Sequence, residues 1–299
     1  MPKEFIKKSG FLCVFLVFAL TFIFLFNLSI TAQEIFKNVK IFKDIPYAII
    51  EDFEPYFTSL DIYTPLAGEQ LPVIVFVHGG TWVLGNKGLF NEKIASFVDT
   101  NHVYVSINYR LSPDSIHPGH AQDVAKAVTW IYENISKYGG NPDNIFLMGH
   151  SAGGHLSALI ALDEHYLRDL GYSNEIIRGV ISLDSAAHHL PTLFENEPEN
   201  NYLFEMAFGT QSELWEEASP INHTKKIKSA PPFLLIYAGD REVTKEVNIA
   251  FYESLKQANH KVSIYFAPNK NHVNIERELG MPGDKVFPVI LKFINNNLS

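Results

Sequence analysis

Short apolar runs alternate along this chain with stretches whose hydrophobic residues recur at helical spacing. The apolar runs predict strands at Val73–Val77, Val103–Ile107, Ile145–Met148, Val180–Leu183, Phe233–Tyr237 and 261–268. The periodic stretches predict helices at 121–136, 152–162, 246–257 and 286–296. Strands that are apolar on both faces and separated by helices indicate a mostly parallel sheet with helices on both faces, in the α/β class.

The residues that are candidates for a functional site directly follow the predicted strands. His78-Gly79-Gly80 follows the first strand, Gly149-His150-Ser151 follows the third, and Asp240 follows the fifth. Ligands of such sheets bind at the carboxyl ends of the strands. We therefore expect these residues to share one site.

One segment interrupts the alternation of strands and helices. Residues 185–230 are polar at first, with FENEPENN at 194–201, and then rich in aromatic residues. We interpret this segment as an insertion between strands that forms a small cap over the site.

The stretch LMGHSAGGH at 147–155 places Ser151 between glycines where a strand meets a helix. Gly149-His150-Ser151-Ala152-Gly153 fits G-x-S-x-G, a sharp turn that exposes the serine hydroxyl above the sheet. The next helix directs its first N–H groups toward the same place, where they favour negative charge. The alternative is a serine that only caps the helix in a glycine turn.

A serine nucleophile needs a base and an acid that orients the base, in the chain order Ser, Asp or Glu, His. His272 follows the last predicted strand and is the candidate base. Asp240 is the candidate acid, because its spacing along the chain from the following predicted helix suits the acid of such a site better than that of Glu242, which is the alternative. Asp184 and Asp163 are further carboxylates to which we assign no role.

The glycine turn after the first strand supplies the other half of such a mechanism. An oxyanion hole takes one backbone N–H from the residue after the nucleophile, here Ala152, and another from a loop of the kind found at His78–Trp82. The alternative is an ordinary glycine turn with Trp82 as a core residue.

The motifs together resemble the α/β-hydrolase esterase group that includes hormone-sensitive-lipase-like carboxylesterases, BD-FAE enzymes and arylformamidases. The resemblance covers roughly residues 55–295 and lies in HGGTW (78–82), NYRLSP (108–113), HPGHAQDVAKAVTWI (117–131) and YGGNPDNIFLMGHSAGGHL (138–156). It implies the α/β-hydrolase fold with a small cap.

The resemblance also implies roles for individual residues. Ser151 would be the nucleophile, His272 the base and Asp240 the acid, and the oxyanion hole would lie around Gly79, Gly80, Thr81 and Ala152. Thr81 departs from the HGGG form of lipase-like members and matches the HGGxW form of formamidases. Asp123 lies in the matched segment and is expected to tie loops near the glycine turn.

The resemblance implies a serine hydrolase that cleaves a small carboxylic ester through an acyl-enzyme. The alternative reaction is arylformamidase cleavage of an N-formylkynurenine-type amide. We place it second because that reaction is normally cytosolic, whereas the N-terminal segment described below predicts an extracytoplasmic protein. A non-catalytic binding protein of the same fold is a third hypothesis. Such proteins usually lose a catalytic residue, whereas every candidate is present here.

Charge and composition restrict the partners and cofactors. The formal net charge of −9 argues against nucleic acid. The single cysteine, Cys13, permits no disulfide within the chain, and the sequence holds no motif for a metal or a phosphate cofactor, so we expect neither. The partner that the resemblance implies is a small-molecule ester.

The first 32 residues form a separate segment. Three lysines precede the apolar run at 11–30, and Ala32 follows it as a small residue for cleavage. We predict a signal peptide at 1–32, or an uncleaved signal-anchor, ahead of a single domain at 33–299. The protein is then extracytoplasmic, secreted or periplasmic, with membrane association only through residues 11–30.

Overall fold

The computed structural model describes residues 38–88 and 92–299. The signal segment at 1–32 lies outside these residues, so its cleavage or anchoring stays a prediction. The chain forms two compact units, residues 1–40 and Ile41–Ser299, and the first is described only from residue 38. Within the described ranges no helix is long and apolar enough to cross a membrane.

The described chain builds one eight-stranded sheet in the order β1-β2-β4-β3-β5-β6-β7-β8. The strands are β1 Val39–Pro46, β2 Ser59–Pro65, β3 Leu71–Val77, β4 Val103–Ile107, β5 Gly140–His150, β6 Gly179–Leu183, β7 Phe233–Tyr237 and β8 Val262–Phe266. β2 runs antiparallel to β4, and all neighbours from β4 to β8 pair in parallel. The predicted mostly parallel sheet is therefore confirmed.

Helices connect the parallel strands. They are α1 Glu92–Asp99, α2 Gly119–Asn134, α3 Ala152–Leu162, α4 His165–Arg168, α5 Leu190–Asn196, α6 Asn201–Phe208, α7 Ser212–Glu217, α8 Glu242–Gln257, α9 Asn274–Arg277 and α10 Val286–Asn295. The helix predicted at 152–162 has these bounds, and the one predicted at 246–257 begins one turn earlier, at Glu242.

The middle of the sheet is the most deeply buried part of the domain. Every residue of β4 and β6 is buried, which explains why these strands are apolar without alternation. All residues of α3 are buried too, because α3 packs on β5 and β6 with α2 beside it. This arrangement places the residue before α3, Ser151, at the carboxyl edge of the sheet.

The predicted insertion lies between β6 and β7 and consists mainly of the short helices α5, α6 and α7. Phe194 of α5 stacks on Trp215 of α7 with 3.8 Å between ring centroids. Phe208 of α6 packs edge-on against Trp82, which follows the glycine turn after β3. Aromatic contacts thus fix the insertion to the loops at the carboxyl edge.

Several histidines in the described part of the chain are buried. Burial lowers the pKa of His117 from 6.5 to about 4, and it lowers the pKa values of His120, His155 and His188 to about 3. His117 and His155 both lie with ring centroids 5.6 Å from that of Phe208 in the insertion. The neutral rings of His117 and His155 are therefore part of the packing that holds α6.

We predict that acid destabilises this domain through these histidines. Because their folded-state pKa values lie below 6.5, the unfolded chain binds protons first as the pH falls. The free energy of unfolding should then decrease between about pH 6.5 and 4. Replacing His117→Leu should reduce that slope by about 1.4 kcal/mol per pH unit, measured by denaturant unfolding from pH 4.5 to 7.5. Equal slopes for the two proteins would contradict this account.

Candidate active site

Ser151 occupies the turn between β5 and α3 in a strained backbone conformation. Its φ is 53° and its ψ is −119°, a region that non-glycine residues rarely adopt. Its backbone N–H donates to the carbonyl of Leu183 at the end of β6, over 2.9 Å. The turn is therefore fixed from the neighbouring strand, as expected for a serine that is presented above a sheet.

The glycines of the motif are required by close packing of backbone. A Cβ at Gly153 would lie 2.0 Å from the carbonyl oxygen of Val77, and one at Gly149 would lie 2.2 Å from Gly153. Any side chain would push α3 away from the ends of β3 and β5. The predicted strand-turn-helix at Ser151 is thus explained by the packing of three elements.

The loop after β3 lies against Ser151. A Cβ at Gly79 would lie 3.2 Å from the Cβ of Ser151. Gly80 has a φ of +113°, and a Cβ there would lie 2.2 Å from the carbonyl oxygen of Leu84. Thr81 and Ala152 line the cavity beside Ser151, while Gly79 and Gly80 shape the turn behind it.

Loops at the edge of β4 hold this turn in place. Ser112 donates its N–H to the carbonyl of Trp82 over 2.9 Å. Arg110 donates from Nε and Nη2 to the buried carboxylate of Asp123, over 2.7 and 2.8 Å. Asp123 therefore has the loop-tying contacts expected of it.

His272 lies in the loop between β8 and α9, and Asp184 orients its ring. The Nδ1 atom of His272 lies 2.6 Å from Oδ2 of Asp184, which directly follows β6 and is fully buried. The other oxygen of Asp184 accepts from the N–H of Ala238 over 2.7 Å. Ser151 and His272 line the same cavity.

The acid expected from the sequence needs correction. Asp240 is exposed, and its Oδ2 accepts from the backbone N–H of His272 over 3.0 Å rather than from the ring. Glu242, the alternative, is exposed in the first turn of α8 and pairs with Lys245 over 2.8 Å. Neither carboxylate orients the imidazole, whereas Asp184 does.

Chain order could not separate these carboxylates, because Asp184, Asp240 and Glu242 all lie between Ser151 and His272. The difference is one of position in the sheet. Asp184 ends β6, the strand next to β5 and its serine, whereas Asp240 follows β7, one strand further away. The sequence did contain one signal for Asp184, because this aspartate directly follows a fully apolar strand. A carboxylate in such a place is buried, and buried carboxylates almost always have a partner.

Burial and charge together set the protonation states of Asp184 and His272. Burial lowers the pKa of His272, and the nearby charges of His150 and Arg241 lower it further, against the raising effect of Asp184. Burial alone would raise the pKa of Asp184, but its hydrogen bond to His272 and the charge of that ring outweigh burial and lower it. A neutral imidazole beside an ionised carboxylate is the state that accepts a proton.

An ion pair lies beside the same ring nitrogen of His272 that contacts Asp184. Nη1 of Arg241 lies 3.0 Å from Nδ1 of His272, and Nε of the same guanidinium donates to Glu197 over 3.0 Å. Arg241 comes from the loop after β7, and Glu197 comes from the insertion. The pair therefore joins the insertion to the loop that carries Asp240.

The cavity above Ser151 has a volume of about 390 Å³. Its apolar wall consists of Trp82, Ala186, Ala187, Leu193 and Phe204. Its polar rim consists of Glu197, Glu199, Asn200 and Arg241. The insertion supplies much of both surfaces, so it shapes the space in which a substrate would lie. Residues 38–88 and 92–299 contain no cluster of three metal-ligating side chains.

A family model and curated relatives match this chain. The BD-FAE family model matches residues 60–255. Esterase LipQ of Mycobacterium tuberculosis is 30% identical over 218 residues, covering 69% of this chain and 51% of LipQ. The probable isoprenylcysteine alpha-carbonyl methylesterase ICMEL2 of Arabidopsis thaliana is 26% identical, covering 79% of this chain and 60% of that protein. The chain thus spans half to three fifths of these relatives.

Solved structures match almost the whole described fold. Esterase B from Lactobacillus rhamnosis superposes with a TM-score of 0.74 at 19% identity, covering 90% of this chain and 92% of that chain. A truncated carbohydrate esterase from gut microbiota superposes with a TM-score of 0.70 at 21% identity, covering 86% and 96%. At these identities the likeness shows the fold alone, and it confirms the predicted α/β-hydrolase fold.

Proposed function

Because this chain belongs to the BD-FAE family, we propose that it is a carboxylic ester hydrolase that uses Ser151 as its nucleophile. The observation that carries the proposal is the buried contact of 2.6 Å between Asp184 and the ring of His272, at a cavity that also holds the strained Ser151. The names of the curated relatives, which are esterases, support the same bond type.

The Asp184–His272 contact assigns the protons in this mechanism. Nδ1 of His272 carries the hydrogen that Asp184 accepts, so Nε2 is free to take the proton of the Ser151 hydroxyl. The serine oxygen then attacks the ester carbonyl, and the carbonyl oxygen takes the negative charge. His272 returns the proton to the leaving alcohol, which leaves an acyl group on Ser151.

Water completes the cycle by the same route. His272 takes a proton from a water molecule, the hydroxide attacks the acyl carbonyl, and the carboxylic acid leaves as Ser151 regains its proton. In this proposal the backbone N–H groups of Ala152 and of the Gly80–Thr81 turn donate to the carbonyl oxygen in both steps. Each such donor is worth about 2.7–4 kcal/mol in the transition state.

A fluorophosphonate probe tests this proposal without a guess at the substrate. We expect a single adduct on Ser151, mapped by mass spectrometry, in residues 33–299 expressed as a folded domain. Labelling should disappear in His272→Ala because the serine then lacks its base. If Ser151 is labelled, a panel of short esters and an N-formyl anilide would rank ester cleavage against formamide cleavage. Folded protein that stays unlabelled would favour the non-catalytic binding hypothesis.

The two aspartates near His272 should differ in their contribution to catalysis. Asp184→Asn should reduce kcat by about 10³–10⁴-fold, because an amide donates a hydrogen bond and forces the imidazole into the wrong tautomer. Asp240→Asn should reduce kcat by no more than about tenfold, since only one backbone hydrogen bond weakens. Steady-state kinetics with p-nitrophenyl acetate measure both. A larger loss in Asp240→Asn than in Asp184→Asn would restore Asp240 as the acid.

Arg241 should set the acidic limb of the pH profile. Its positive charge, 3.0 Å from Nδ1, opposes protonation of His272, so Arg241→Gln should raise the pKa of His272. More of the base is then protonated at a given acidic pH, and the acidic limb of kcat/KM moves to higher pH. Lys245→Gln removes an exposed cation from the neighbouring helix and is the matched control, with an unchanged limb. Identical limbs for the two variants would contradict this role.

A further inference from the structure

The proposed reaction leaves one buried titratable group next to the proposed nucleophile without a task. His150 is the variable residue of the G-x-S-x-G turn, and its side chain is only 9% exposed. Its ring centroid lies 4.7 Å from that of His272. A Cβ at Gly79 in the glycine turn would lie 2.9 Å from its Nδ1. His150 therefore touches the turn after β3 as well as the loop of the proposed base.

Both ring nitrogens of His150 face hydrogen-bond acceptors. Nε2 lies 2.7 Å from the backbone carbonyl oxygen of His272, an atom that only accepts. Nδ1 lies 2.9 Å from Oε2 of Glu276 in α9. A neutral imidazole has one N–H and can satisfy only one of these contacts. Whether both ring nitrogens of His150 carry a proton therefore depends on whether the carboxyl group of Glu276 is protonated.

Glu276 is held as a carboxylate in a buried environment. Burial raises its pKa, but the hydrogen bond and charge of His150, together with Lys93, outweigh burial and lower that pKa to about 2. Nζ of Lys93 in α1 donates to the other carboxylate oxygen over 2.8 Å. Because Glu276 carries no proton to donate, both nitrogens of His150 must carry one.

We propose that His150 is a positioning residue of the active site, an imidazolium that holds the backbone of His272 and is neutralised by Glu276. The role rests on the proposed function, since it acts through the proposed base. His150 is part of the same turn as Ser151, so its hydrogen bond to the carbonyl of His272 ties the loop of the base to the nucleophile. Lys93 orients Glu276 through the other carboxylate oxygen.

The same charge acts on the chemistry of the proposed base. The charged groups that face His150 are Glu276 from α9, Lys93 from α1 behind it, and the Asp184–His272 pair from the loops after β6 and β8. After burial, the charge of His150 contributes to the lowering of the pKa of His272. It also contributes to the lowering of the pKa of Asp184. His150 thus favours a neutral base beside an ionised acid.

Kinetics of three variants test the positioning role. His150→Leu should reduce kcat for p-nitrophenyl acetate at least tenfold with KM within twofold, because the loop of His272 loses its hydrogen bond. His150→Gln keeps an N–H for that carbonyl and should recover part of kcat, while its acidic limb of kcat/KM moves to higher pH. The control is His260→Gln, because Nε2 of His260 also bonds a backbone carbonyl, that of Thr224, over 2.7 Å.

The outcomes separate positioning from a structural role. A kcat within twofold of wild type in His150→Leu, or an acidic limb in His150→Gln that matches the control, would overturn the proposal. If the wild-type protein itself hydrolyses no ester and takes up no fluorophosphonate, the proposed function has failed instead, and the charge state of His150 is decided separately.

That separate measurement is nitrogen-15 NMR of the wild-type protein labelled at histidine, at pH 7. The His150 signals are assigned as those that disappear in His150→Gln. We expect both ring nitrogens to be protonated, each with its own N–H correlation. One unprotonated nitrogen would overturn the imidazolium assignment, whatever the activity of the variants.

Discussion

The backbone contact between α3 and the ends of β3 and β5 is the constraint on which the rest of this site depends. Gly153 brings the first turn of α3 to a distance at which a Cβ would lie 2.0 Å from the carbonyl of Val77. With the helix this close, Ser151 must adopt a positive φ, and the loop after β3 must lie directly behind it. The proposed nucleophile and the proposed oxyanion donors are therefore brought together by packing alone.

A line of polar contacts runs from the cavity to the sheet edge. It begins with Asp184 and His272 and continues through His150, Glu276 and Lys93, with a contact of 3.0 Å or less at each step. Each group is buried or half-buried, so its polar atoms are tolerated there only because a partner lies beside them. Mutual dependence of this kind makes the arrangement rigid, since removal of any member leaves a neighbour unpaired.

Elements that local pattern determines were predictable from the sequence, and contacts between distant segments were not. The strand at Val103–Ile107 and the helix at 152–162 have the predicted bounds, because apolar periodicity directly reports burial. The turn at Ser151 and the pairing of Ser151 with His272 at one cavity also follow from local motifs and strand ends. The partner of the His272 ring depends on which strands are neighbours. The local sequence does not encode that order, although the fully apolar strand before Asp184 was a signal for a buried carboxylate.

The proposed catalytic residues and the cavity wall come from different parts of the chain, and different contacts hold them in place. Ser151, Asp184 and His272 follow strands of the sheet, whose register fixes them. Leu193, Glu197 and Phe204 lie in the insertion, which is attached through aromatic contacts and the Arg241–Glu197 pair. Because Arg241 also touches His272, a change in the insertion that displaces Glu197 alters the electrostatic field at this proposed base. The shape of the cavity and the pKa of His272 are therefore coupled through one guanidinium.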